Sequence, residues 1–89
     1  MKFINVGFNN MINAERVVAV ITSESAPAKR LIQEAKDSGR AIDCTCGRKT
    51  RCIIVMDSDH VILSAIQNET VSARISGKDD DGDSEAHDE

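Results

Sequence analysis

Tryptophan and tyrosine are absent from this 89-residue chain, and phenylalanine occurs only twice, at Phe3 and Phe8. Aromatic rings supply much of the apolar burial in small domains, so the core here has to be built from Val, Ile, Leu and Ala. The same scarcity disfavours recognition of RNA or single strands by base stacking. Long apolar runs are missing as well. Residues 17–21, 53–56 and 61–63 fall far short of the ~20 needed to cross a bilayer, which excludes a transmembrane helix. Residues 1–5 have neither the apolar stretch nor the cleavage site of a signal peptide, and a cytoplasmic location is expected. Three cysteines, an odd number in a chain without export features, point to reduced thiols over a disulfide framework.

The excess of acid over base, 15 Asp and Glu against 11 Lys and Arg, argues at first against a nucleic-acid partner. The excess is unevenly spread. Residues 78–89 hold seven acidic side chains and one Lys, whereas residues 1–77 hold ten Lys and Arg against eight Asp and Glu, a balance of plus 2. A single apolar side chain in that last segment, Ala86, cannot offset the entropy of ordering it. The sequence therefore predicts one small folded domain over 1–77 and a disordered acidic tail over 78–89. A domain of this size with so few rings has a thin core, and such chains gain stability from disulfides, a metal or self-association. Homo-oligomerisation is the physical expectation.

Hydrophobic patterning gives the order of elements. Residues 2–7 read as a short strand ended by Gly7 and the Asn9-Asn10 pair. Residues 15–22 are β-branched and almost continuously apolar, as in a strand covered on both faces, so this second strand is expected to be central or interfacial. Between the two, Phe8, Met11 and Ile12 sit in an asparagine-rich loop, where they suit either subunit contacts or packing back onto the chain's own core. Ser25 can cap a helix with Pro27 in its first turn, and Ala28, Leu31, Ile32 and Ala35 follow at the spacing of one buried stripe until Gly39. Strands are predicted over 41–45, 50–56 and 60–66, and a short helix capped by Asn68 places Val71 and Ile75 inward before Gly77. The repeated crossover helices of a doubly wound sheet are missing. An α+β domain follows, with a small, mainly antiparallel sheet, one longer helix and one short one.

Cys44, Cys46, Cys52 and His60 are the only candidates for zinc, but one C-x-C and two isolated ligands do not make the paired knuckles of structural zinc sites. Their spacing suits small buried strand residues better. Asp57, Asp59 and His60 have the composition of a turn, no nucleophile stands beside a base, and no glycine loop cradles a phosphate. The sequence therefore points away from an enzyme, a metal, a cofactor and a small-molecule substrate.

One cluster runs against the overall charge. Gly47-Arg48-Lys49-Thr50-Arg51 puts three cations on four positions just before the apolar run 52–56. Such neighbours repel unless an anion answers them, and with the Thr50 hydroxyl they have the composition of a phosphate-contacting set. A solvated turn is the alternative. Given the shortage of rings, double-stranded DNA is the favoured partner, and three or four phosphate contacts per subunit would bind usefully only when several subunits act together.

The segments beginning at Phe3 (Phe-Ile-Asn-Val-Gly-Phe), Ser25 (Ser-Ala-Pro-Ala-Lys-Arg-Leu-Ile-Gln-Glu-Ala), Gly47 (Gly-Arg-Lys-Thr-Arg) and Ile54 (Ile-Val-Met-Asp-Ser-Asp-His-Val-Ile-Leu-Ser) resemble the RemA family of bacterial extracellular-matrix regulators. The resemblance runs from about residue 2 to 77. It implies a small DNA-binding transcriptional activator of biofilm matrix and osmoprotection genes, assembled as a ring-like homo-oligomer with an architecture like that of LytTR-type DNA-binding domains. It further implies that Arg16, Arg48, Lys49 and Arg51 contact DNA, with Pro27 serving structure or assembly. Lys49 stands where the family commonly shows a second Arg, which keeps a charge but loses the bidentate fork and so favours backbone contact over base reading. The family builds the turn around Cys44 and Cys46 without a cysteine site, and the acidic tail lies beyond the resemblance. A homo-oligomeric scaffold or protein-binding module, its basic turn meeting carboxylates, is the competing expectation.

Overall fold

In the computed structural model, which describes residues 2–77, side-chain alternation along two short strands organises everything else. These are β5 (Cys52–Met56) and β6 (Val61–Ser64). Cys52, Ile54 and Ile62 point to one side, where they meet Ile4, Ile12, Ile66 and Val71. Ile53, Val61 and Leu63 point to the other, against Ala28 and Ala35. Two thin cores therefore share one sheet. Burial of an Ile as complete as that of Ile53 or Ile54 contributes about 1.5–3 kcal/mol, and truncating either to Ala is expected to cost roughly 2–5 kcal/mol.

In chain order the elements are β1 (Phe3–Asn5), β2 (Met11–Asn13), a 3-10 turn (Ala14–Arg16), β3 (Val17–Thr22), α1 (Ala26–Asp37), β4 (Ala41–Asp43), β5, β6 and α2 (Asn68–Ile75). The main sheet has the order β3-β5-β6-β4. Its β3–β5 and β5–β6 ladders are antiparallel, and β4 runs parallel to β6. β1 and β2 form a separate antiparallel hairpin, Ile4 opposite Ile12. This is an α+β fold with a mixed sheet, α1 on one face and the hairpin with α2 on the other. The predicted acidic tail lies outside the described residues.

α1 follows its sequence signals. The Ser25 side chain accepts the Ala28 N–H at 3.2 Å, Pro27 lies in the first turn, and Gly39 beyond the end adopts φ +77°. Four expectations need correction. Residues 11–13, read as loop, form β2, because one buried side chain (Ile12) and pairing to β1 suffice for a strand among asparagines. The second strand begins at Val17, since the Asn13 side chain accepts the Glu15 N–H at 3.0 Å and caps a 3-10 turn over the residues before it. Nor is that strand central: β3 is an edge of the sheet and Val18 is 66 % exposed. At α2 the N-cap is Gln67, without a side-chain cap bond, and Asn68 is already helical.

Candidate nucleic-acid interface

The basic turn is built from the end of β4. The Asp43 carboxylate accepts both the N–H and the hydroxyl of Thr45, at 2.9 and 2.6 Å. The Thr45 carbonyl accepts the Arg48 N–H at 2.9 Å, closing a four-residue turn whose central residues, Cys46 and Gly47, have φ of +52° and +81°. No atom crowds Gly47 where a Cβ would stand. The demand for glycine there is conformational. Bonds from Thr45 hold the Asp43 carboxyl below its ordinary value.

The far limb of the turn is tied down twice. The Arg51 N–H donates to the Ser64 carbonyl at 2.8 Å, and the Arg51 and Thr50 carbonyls accept the Ser23 N–H and hydroxyl at 3.2 and 2.7 Å. Backbone rigidity thus carries exposed side chains: Arg48, Lys49 and Arg51 all face outward, and Thr50 is half-buried. Lys49 and Arg51 have no ion pair or side-chain hydrogen bond among the described residues. Arg48 has its guanidinium carbon 6.0 Å from the centre of the Phe8 ring.

Lys49 and Arg51 line a polar cleft of about 410 Å³ together with the uncapped start of α2, Gln67 to Glu69. Glu24 and Glu69 also line it. Two cations and two carboxylates, all on exposed residues, therefore share the cleft: the cations attract a phosphate and the carboxylates oppose it, so the cleft does not favour an anion as the outward-facing turn does.

Arg16 is elsewhere. The β3–β5 register runs from Val17 opposite Met56 to Thr22 opposite Cys52, with Arg16 beside Asp57, which separates Arg16 from Arg51 by roughly 20 Å of strand. Its guanidinium is held by Asp57, Nε to carboxylate oxygen at 3.1 Å. Within one chain the four predicted DNA-contacting cations therefore form two patches. Of the three loop residues considered for subunit contact, Ile12 is buried in the chain's own core, Phe8 is half-buried beneath Arg48, and Met11 is 53 % exposed. Pro27 is exposed on α1.

No three His, Cys, Asp or Glu side chains among the described residues come together as a metal would require. Burial pushes the Cys52 thiol up to about 12 and raises Cys44 as well, which favours protonated, inert thiols. Sequence reasoning missed Asp57 as the partner of Arg16, and missed the α2 start and Glu24 as neighbours of the turn. Only Asp57, in a run already read as a turn, carried any signal.

Residues 3–75 match the family model described as extracellular matrix regulatory protein A-like. The chain belongs to the RemA-like family. Among relatives named for a proposed regulatory role, one of Clostridium beijerinckii is 60 % identical over 80 residues, covering 90 % of this chain and 89 % of the relative. One of Geobacillus kaustophilus is 55 % identical over 80 residues, 90 % and 92 % of the two chains. A third, of Brevibacillus brevis, is 54 % identical over 83 residues, 93 % and 96 %. The RemA-like match ends with α2 and leaves the acidic segment outside it. No helix among the described residues is long and apolar enough to cross a membrane.

Proposed function

We propose that this RemA-like chain is a DNA-binding regulator of transcription that contacts double-stranded DNA through its basic turn. The observation that carries the reading is the pair Lys49 and Arg51: two exposed cations without partners among the described residues, on a turn whose backbone is fixed at both limbs. Arg48 and the Thr50 hydroxyl complete the phosphate-contacting set. Arg16 contributes from the other end of β3, as a second patch. One turn binds weakly, so function requires a homo-oligomer, ring-like by family resemblance and of LytTR-like architecture, that repeats the turn along the DNA. Activation of matrix operons, and of osmoprotection genes, is the role the family suggests. The site of action is the cytoplasm.

Fluorescence anisotropy with a duplex at two salt concentrations tests this. Arg48→Ala and Arg51→Ala should each weaken binding and flatten the salt dependence by about 0.9 in log–log slope for every phosphate no longer neutralised. Unchanged affinity and slope in both variants would remove the turn from DNA contact.

A second reading, a homo-oligomeric scaffold or protein-binding module that does not bind DNA, is favoured by the exposed Phe3 and Met11 on the outer face of the hairpin. Absent duplex binding at low salt would favour it.

A further inference from the structure

We propose that Phe8 is a positioning residue for Arg48, its ring holding the guanidinium where DNA meets the basic turn; this rests on the DNA-binding reading above. The motive is a residue in an unfavourable backbone state without a place in the core. The hairpin tip is a tight turn in which the Asn10 N–H donates to the Gly7 carbonyl at 3.0 Å, reinforced by the Asn10 side-chain amide at 2.9 Å and by the Val6 N–H to the Asn10 carbonyl at 2.8 Å. Its central residues, Phe8 and Asn9, have φ of +55° and +64°. Asparagine tolerates that region; a bulky aromatic is seldom found there. Yet Phe8 belongs to neither apolar cluster, so core burial does not explain a ring at this position.

What the ring does meet is Arg48, at 6.0 Å from guanidinium carbon to ring centre, within reach of cation–π attraction. The spacing is imposed by the frame as well as by the two side chains. Ser64 donates its hydroxyl to the Val6 carbonyl at 2.8 Å, while its own carbonyl accepts the Arg51 N–H at 2.8 Å. The hairpin tip and the basic turn are thus anchored on the same residue of β6. Attraction through the ring face does not consume the N–H donors of a guanidinium, and a side chain already restrained loses less freedom on binding.

The test uses the full chain, a duplex of about 30 base pairs, and three variants: Phe8→Asn, Phe8→Leu and Arg48→Ala. Asparagine suits positive φ, so Phe8→Asn should melt no lower than the parent, yet bind DNA several-fold more weakly. In an Arg48→Ala background the same change should add nothing. Equal losses in both backgrounds, or full binding by Phe8→Asn and Phe8→Leu, would overturn the proposal. NMR of the Arg48 side-chain protons gives a readout that needs no DNA: an upfield ring-current displacement in the parent, lost in Phe8→Leu. If that displacement is absent while the parent binds DNA, the positioning role alone fails. If it is present and the parent does not bind at low salt, the DNA reading fails and takes the role with it.

Discussion

Arg16 donates its Nε to both carboxylate oxygens of Asp57, each at 3.1 Å, across the end of the β3–β5 ladder. Both side chains are substantially exposed, so the pair contributes about 0–1 kcal/mol to stability. On the DNA-binding proposal its consequence lies in competition. Asp57 occupies the guanidinium that a phosphate would need, and the two exchange at little cost in water.

Asp57→Asn is therefore expected to leave melting nearly unchanged and to tighten duplex binding by roughly two- to fivefold at low salt, the equivalent of releasing one surface ion pair. Arg16→Ala should weaken binding. Anisotropy titrations of both variants decide the matter: unchanged affinity in each would show that Arg16 serves only its pairing with Asp57.

Asp43 gives a pH dependence whose sign is fixed by its bonds. The Thr45 hydroxyl and N–H stabilise the ionised carboxylate and hold it below the ordinary value of 3.8. A carboxyl lowered on folding contributes stability that is present at neutral pH and lost as the pH falls through its depressed value. The melting temperature of the parent should accordingly fall faster below about pH 4 than that of Asp43→Asn, whose amide oxygen still accepts from Thr45. Parallel melting curves over pH 2–5 (an interval chosen around the ordinary carboxylate value) would contradict this.

How much of this was legible in the sequence depends on whether the cause was local. The cap at Ser25, the stripe through Ala35 and the stop at Gly39 are local, and all are in place. So are the apolar runs of β5 and β6 and the glycine that the turn before Arg48 requires. What was missed is pairing at a distance. β2 exists because Ile12 meets Ile4 across the hairpin, and its asparagines gave no strand signal. The apolar run of β3 reads the same for an edge strand as for a central one, and only the strand order separates them. Arg16 and Asp57 lie 41 residues apart, and the neighbourhood of Arg48 includes a ring 40 positions earlier in the chain, Phe8.

Ser64 is fully buried, its hydroxyl donating to the Val6 carbonyl at 2.8 Å and accepting the Ile66 N–H at 3.1 Å. Ser64→Ala strands both backbone groups in a dry setting, which costs about 1–3 kcal/mol. Chemical denaturation should show that loss with an unchanged denaturant slope. A shift below about 0.5 kcal/mol would mean that water or a backbone adjustment satisfies the Val6 carbonyl.

The acidic segment gives the last prediction. Residues 78–89 carry seven carboxylates and one Lys, and they begin three residues beyond α2, whose first turn borders the polar cleft beside Lys49 and Arg51. An eight-residue helix is only about 12 Å long, while twelve further residues reach up to about 40 Å when extended. Chain length therefore permits these carboxylates to meet Lys49 and Arg51, or to repel a duplex approaching them. Deleting 78–89 is expected to tighten duplex binding by about tenfold at low salt, with the two forms converging as salt shortens the screening length towards ~3 Å at 1 M. Equal affinities at every salt concentration would show that the segment neither competes with DNA nor repels it. Absence of binding in both forms, even at low salt, would instead favour the scaffold reading, with the basic turn answering protein carboxylates.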